Sequence, residues 1–100
     1  MVRHVILWKL KEEYSAEETA KIKQEIKEGL EGLKGQIPGL SEIKVNTDPL
    51  ASSNCDLMLD SLFEDEAALN NYSGHPAHVA VANGKVRPFT ASRVCMDYTV

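Results

Sequence analysis

The amino-acid sequence predicts an α+β fold in which the helices cover one face of an antiparallel sheet. Two observations lead to this prediction. The spacing of apolar residues alternates between strand-like and helix-like patterns in the order β-α-β-β-α-β, with one additional short helix. The chain has 100 residues, of which 43% are hydrophobic, so residues 1–100 form one small domain with a modest core. Helices at these positions pack on one face of a four-stranded sheet, which is the ferredoxin-like arrangement.

Four segments are predicted to be strands. Residues 2–10 carry apolar side chains on both faces, which is typical of a central strand. Residues 40–47 alternate in part between apolar and polar, which favours an edge strand with one face in water. Residues 56–63 and 93–100 complete the sheet.

The first helix has a clear beginning and an uncertain end. Ser15 and Glu18 form a capping box. An apolar stripe of about five turns follows. It consists of Ile22, Ile26, Leu30, Leu33 and Ile37. Three glycines, Gly29, Gly32 and Gly35, indicate either close packing of this helix or fraying at its end.

The face of the sheet opposite the helices lacks cover within one chain. One face of the first strand would therefore be left in water. It is either the face with His4, Ile6 and Trp8 or the face with their counterparts. A second copy of the chain can supply the missing cover. We therefore expect a homodimer whose two sheets close around a shared interior, forming an α+β barrel.

Composition and the terminal sequence restrict the partners. Eleven basic against fifteen acidic residues give a net charge of −4, which argues against nucleic acid and anionic membranes as partners. The apolar run at residues 5–8 is too short for a secretion signal or a membrane span, so we expect a cytoplasmic protein. Cys55 and Cys95 are isolated, which favours reduced, structural thiols, with Cys95 in the core between Val94 and Met96.

The segment from Tyr72 to His78 holds the densest group of side chains suited to catalysis. A short helix at 64–72 ends at the first residue of this segment, and another begins at Pro76. His75 precedes that proline and is expected to cap the second helix. His78 falls in the first helical turn, where the dipole disfavours the imidazolium, and a neutral imidazole can act as a general base.

A phenol beside that base completes a set for proton abstraction next to a carbonyl. Tyr72 could donate a hydrogen bond to a carbonyl or enolate oxygen, and His4 could line the same cavity. The spacing equally allows Tyr72 and His78 to bond only to each other or to the backbone. His75 and His78 lack a compelling third ligand, and Asp97 is available only through the fold, so no metal and no cofactor are predicted.

Several short motifs occur in a specific order along nearly the whole chain. They are Val2-Arg3-His4-Val5, Ile37-Pro38-Gly39-Leu40, Phe63, Tyr72, His75-Pro76-Ala77-His78, Pro88 and Asp97-Tyr98. In this order they resemble the stress-responsive A/B barrel domain family, also called Dabb. The resemblance implies a ferredoxin-like protomer and a homodimeric α+β barrel, in agreement with the residue pattern.

The resemblance also implies roles for individual residues. A plant polyketide cyclase of this family closes a linear thioester by aldol condensation without a cofactor. Its base matches His78, its tyrosine partner matches Tyr72, and a histidine on its first strand matches His4. A further active-site histidine on its third strand is replaced here by Leu57. We accordingly expect His78 and Tyr72 to be catalytic, and His4, Trp8 and Leu57 to contact a ligand.

Three functions remain open on the sequence alone. The first is a dimer that binds a small, partly apolar carbonyl compound in the barrel interior, with cyclase-like or lyase-like acid–base activity. The second is a non-catalytic, stress-related dimer with a filled interior. The third is a cofactor-independent monooxygenase, which rests on analogy of fold.

Overall fold

A four-stranded antiparallel sheet forms one layer of the protein. The computed structural model describes residues Met1–Val100. Strands β1 (Val2–Leu10), β2 (Leu40–Asn46), β3 (Leu57–Phe63) and β4 (Thr90–Thr99) lie in the order β2-β3-β1-β4. The ferredoxin-like fold is therefore confirmed, with β1 central and β2 at an edge as predicted. β4 begins at Thr90, earlier than the alternation of its side chains indicated.

The first helix, α1 (Ala16–Glu31), lies across the sheet and begins at the predicted cap. The Glu18 N–H donates to Ser15 Oγ, and the Ser15 N–H donates to Glu18 Oε1, each at 3.1 Å. The helix ends at Glu31, so the predicted five turns are too many. Leu33 and Ile37 are nevertheless buried, because the turns that follow the helix continue to cover the sheet.

The glycines of this region account both for close packing of α1 and for the end of the helix, the two alternatives that the sequence left open. A Cβ atom on Gly29 would lie 3.0 Å from Val81 Cγ1, so this glycine allows α1 to pack closely against the chain near Val81. Gly35 lies beyond the helix with φ of +87°, in the left-handed region that favours glycine. Close packing at Gly29 and termination before Gly35 therefore occur together.

Two short helices join β3 to β4. Helix α2 (Glu66–Gly74) begins where Asp65 Oδ1 accepts a hydrogen bond of 2.8 Å from the Ala68 N–H. Helix α3 (Pro76–Val81) follows after one residue, and the irregular helical turns of 82–89 lead into β4. None of these helices, nor α1, has the length and apolar character that crossing a membrane requires.

The sheet has one covered and one open face. β1 turns Val2, His4, Ile6 and Trp8 toward the helices, and all four are buried. The open face is the opposite one, where β4 exposes Val94, Met96 and Tyr98 by 64%, 66% and 41%. Val94 lies beside Leu7, and Met96 beside Val5, in the strand register. The uncovered residues are thus the counterparts of His4, Ile6 and Trp8.

The prediction for Cys95 needs correction. Both cysteines are free, but Cys95 is exposed and does not belong to the core. The reason is its place on β4, an edge strand that the helices leave exposed along nearly its whole length. Its apolar neighbours in sequence face the other side of the sheet.

Candidate active site

A partly open cavity of about 340 Å³ lies between the sheet and the helices of one chain. β1 contributes His4 and Trp8, the end of α2 contributes Tyr72, and α3 contributes His78. We expected the ligand in the interior between two sheets, and this placement needs correction. The four side chains lie on the helix-covered face, because β1 alternates and its other face is the open one.

Tyr72 is the largest fully buried side chain of the protein and is 1% exposed. Its ring centroid lies 4.1 Å from that of His78 and 4.9 Å from that of Phe63. The hydroxyl is buried and has no hydrogen-bond partner among the groups of the protein. Burial raises the pKa of the Tyr72 phenol, while the charge of Arg93 acts in the opposite direction. At neutral pH the phenol therefore keeps its proton and can donate it in a hydrogen bond.

His78 has a defined tautomer. Its Nδ1 lies 3.3 Å from the carbonyl oxygen of Ser73, and a carbonyl can only accept. Nδ1 therefore carries the proton, which leaves Nε2 with a free lone pair. The sequence places this turn at Gly74, but Gly74 is the last residue of α2, and the chain turns at the extended residue His75, which brings α3 back over the end of α2.

The pKa of His78 is lowered, as the sequence indicated, but for another main reason. Burial of the ring is the largest cause, and the positive charges of Arg87 and Arg93 add to it. The hydrogen bond to the Ser73 carbonyl opposes this shift. The imidazole is consequently neutral at pH 7, which is the state that a general base requires.

His4 is held by a side chain from the neighbouring strand. Its ring is buried, and its Nδ1 is hydrogen-bonded to Asp97 Oδ1. The strand register places Asp97 directly beside His4. The His4 ring also meets the Tyr72 ring at an angle of 67° with centroids 6.1 Å apart. Asp97 thus fixes the orientation of a ring that borders the cavity.

His4, Cys95 and Asp97 form the one group with the composition of a metal site. Cys95 Sγ lies 3.7 Å from His4 Nδ1 and 3.6 Å from Asp97 Oδ1. All three ligand atoms lie within 4.8 Å of one another. A metal ion would have to break the hydrogen bond between His4 and Asp97, because both atoms of that bond would become ligands.

Two other predicted residues lie apart from this cavity. Leu57 pairs with Trp8 in the strand register and is 1% exposed, but it does not line the cavity, where β3 presents Leu59 instead. His75 Nδ1 accepts a hydrogen bond of 3.1 Å from the Ala77 N–H. The prediction that His75 caps α3 is confirmed.

Comparison with known families agrees with the fold and the motif order. The family model described as Stress responsive A/B Barrel Domain, or Dabb, matches residues 2–100. The chain belongs to this family. No curated protein matches it.

Solved structures similar to this Dabb chain include proteins with and without a known activity. A dimeric protein of unknown function with a ferredoxin-like fold, from Bacteroides fragilis, is 28% identical with a TM-score of 0.91 over 99% of this chain and 95% of that chain. A Dabb family protein from Mesorhizobium loti is 21% identical with a TM-score of 0.75, over 99% and 95%. Hydroxynitrile lyase from Passiflora edulis is 20% identical with a TM-score of 0.74, over 99% and 92%. The last two likenesses are of fold alone.

Sequence reasoning missed two arginines of the Dabb chain's cavity. Arg87 and Arg93 both line it. Arg93, Cys95 and Asp97 occupy alternate positions of β4, so the sequence could show that their side chains share one face of the strand. That this face of β4 meets His78 and Tyr72 depends on the pairing of β4 with β1, which alternation does not reveal.

Proposed function

We propose that this chain binds a small, partly apolar carbonyl compound in the cavity and moves a proton next to the carbonyl without a cofactor. The buried Tyr72 hydroxyl carries this proposal, because a buried polar group without a partner is costly and calls for an acceptor. It lies in the same cavity as His78, whose Nε2 is free to accept a proton. His78 is then the general base and Tyr72 the donor to the carbonyl oxygen.

The proposed reaction begins with the carbonyl oxygen accepting the Tyr72 hydrogen bond. His78 Nε2 removes a proton from the carbon next to the carbonyl, and the electron pair of that bond forms the enolate. The Tyr72 O–H stabilises the enolate oxygen, where charge develops. The resulting imidazolium keeps its Nδ1–H bond to the Ser73 carbonyl. His4, oriented by Asp97, and Trp8 form the wall against which the apolar part of the substrate lies.

The cavity favours this function over a non-catalytic role. A purely structural Tyr72–His78 cluster predicts a filled interior, whereas the cavity of about 340 Å³ falls within the range of small-molecule binding sites. The similar Passiflora edulis protein is described as a hydroxynitrile lyase. A lyase on this fold supports assigning an acid–base reaction to the chain.

We further propose that two copies pair through the open face of the sheet. Val94, Met96 and Tyr98 form an exposed apolar row there, beside Leu7 and Val5. Burying such a row is the ordinary driving force of a homodimer. Similar proteins from Bacteroides fragilis and Thermobifida fusca are described as dimeric.

We infer that the protein acts in the cytoplasm and without nucleic acid. Its two thiols are free, as is usual in a reducing compartment. A net charge of −4 disfavours contact with phosphate backbones. Fusion to a fluorescent protein and imaging in the source cells tests the location, and signal confined to the cell envelope would refute it.

Proton exchange on a model ketone tests the proposed chemistry. The probe is 2-tetralone, an apolar ketone with acidic protons beside its carbonyl, and NMR in D₂O records their replacement by deuterium. We expect wild-type protein to accelerate exchange and His78→Ala to lose about 10²–10⁴-fold of that acceleration. His75→Asn is the matched control, because asparagine also caps a helix and His75 lies outside the cavity lining. Equal rates in wild type and His78→Ala refute the proposal.

A further inference from the structure

The cavity carries positive charge in a protein that is acidic overall. Acidic residues outnumber Lys and Arg by fifteen to eleven in the whole chain. The cavity lining nevertheless includes two arginines, Arg87 and Arg93, and no Asp or Glu. A surface composed at random from this sequence would carry more carboxylates than guanidinium groups. The separation of charge therefore distinguishes the cavity from the rest of the molecule.

Neither arginine is neutralised by a carboxylate. The carboxylates paired with Lys or Arg are Asp60, on Arg3, and Glu31, on Lys27. Asp97 is hydrogen-bonded to His4 instead. Arg87 donates a hydrogen bond to the side-chain oxygen of Asn83, which is uncharged. Both guanidinium groups thus keep their full charge and retain donors for a further acceptor, since a guanidinium has five N–H groups.

The two arginines lie at the outer part of the cavity and the aromatic side chains at its inner part. Arg87 and Arg93 are exposed, whereas Trp8 and Tyr72 are 4% and 1% exposed. A ligand that matches this arrangement has an apolar, carbonyl-bearing body and an anionic end. The charges are also near the reacting groups, because Arg93 acts on the pKa of both Tyr72 and His78.

We propose that Arg87 and Arg93 form an anion subsite and that the substrate is a carbonyl compound with a carboxylate group. This inference rests on the proposed function and names its substrate class. A carboxylate fits because its two oxygens match the fork of a guanidinium group. The carboxylate would lie at the mouth of the cavity, with the carbonyl directed toward Tyr72 and the apolar part against Trp8.

A matched pair of ligands tests this subsite. The probes are 3-benzoylpropionate and its methyl ester, which differ chiefly in charge. Trp8 is the only tryptophan of the chain and lines the cavity, so its fluorescence reports binding there. We expect the acid to bind about tenfold more tightly than the ester at low salt, which corresponds to one moderately strong charged interaction. High salt should reduce this preference.

Variants assign the preference to the two arginines. Arg87→Gln and Arg93→Gln should each weaken binding of the acid, and the double variant should remove its preference over the ester. Unchanged affinity for the ester shows in the same titration that the variants are folded. Lys34→Gln, which removes an exposed positive charge outside the cavity lining, should retain the preference.

The outcomes separate this inference from the proposed function. The anion subsite is refuted if the ester binds as tightly as the acid, or if the double variant keeps the preference for the acid. Neither result affects the proposed acid–base function, which the tetralone exchange tests separately. If neither probe changes Trp8 fluorescence at millimolar concentration, the subsite is refuted for aryl ketones as a class. If the acid preference follows the arginines but His78→Ala exchanges tetralone at the wild-type rate, the subsite stands and the acid–base role falls.

Discussion

Replacing Tyr72 by phenylalanine should make the protein more stable and less active. The hydroxyl is buried without a hydrogen-bond partner, and such a group costs about 1–3 kcal/mol of folding free energy. The ring contacts with His78 and Phe63 are retained in the variant. We therefore expect the free energy of unfolding to rise by about 1–2 kcal/mol. For a domain of this size, each kcal/mol raises Tm by about 4–8 °C.

The same substitution removes the donor to the carbonyl oxygen. Loss of one donor to a developing oxyanion typically costs about 10²–10³-fold in rate. Thermal unfolding by circular dichroism measures the first effect and deuterium exchange of 2-tetralone the second. All samples must have the same protein concentration, because the proposed dimer would make Tm depend on it.

Tyr14→Phe is the matched control for this experiment. Tyr14 also packs against a phenylalanine ring, that of Phe89 at 6.0 Å, but it lies outside the cavity lining. Its substitution should leave the exchange rate unchanged and should not raise Tm. A fall of Tm in Tyr72→Phe would show that the hydroxyl has a stabilising partner, which refutes the reasoning. A stable variant with the wild-type exchange rate would refute the role of the phenol.

Four other experiments have expected outcomes. The rate of catalysed exchange should rise with pH and reach its plateau below pH 6.5, the ordinary pKa of histidine, because burial lowers the pKa of His78. A rate that still rises above pH 7 contradicts the assignment of His78 as the base. Because the pKa of His78 is lower in the folded than in the unfolded protein, the unfolded protein binds more protons below pH 6.5. The free energy of unfolding should therefore fall more in wild type than in His78→Gln as the pH drops below 6.5. His75→Ala should lower the free energy of unfolding by about 1 kcal/mol through loss of the α3 cap, with His75→Asn close to wild type in chemical denaturation. Met96→Asp should convert the dimer to a monomer in light scattering, because it places a charge in the open sheet face; a wild-type mass would argue for another interface.

Neighbouring residues in the sequence were sufficient to predict the helices and strands, but not every residue at which they end. The bounds of β1 and the capping box at Ser15 follow from neighbouring residues alone, and both agree with the structure. The end of α1 does not follow from its apolar stripe, because Leu33 and Ile37 stay buried in turns that continue the same layer. Burial periodicity thus overestimated the helix.

The site required information that only the fold supplies. Tyr72 and His78 could be singled out because the break between them is short and contains Gly74. Which face of β1 meets the helices could not be decided, since both faces carry apolar residues. The pairing of β4 with β1, which brings Arg93 and Asp97 to the cavity side, connects residues about ninety positions apart, so no local pattern could show it.

The central claim is that Tyr72 and His78 act on one substrate as a unit. The most direct test measures 2-tetralone exchange for wild type, Tyr72→Phe, His78→Ala and the double variant. Residues that act together lose most of their effect with the first substitution. We predict that the double variant is within about threefold of His78→Ala. A double variant that loses the full product of the two single effects, or single variants that lose nothing, would contradict the claim.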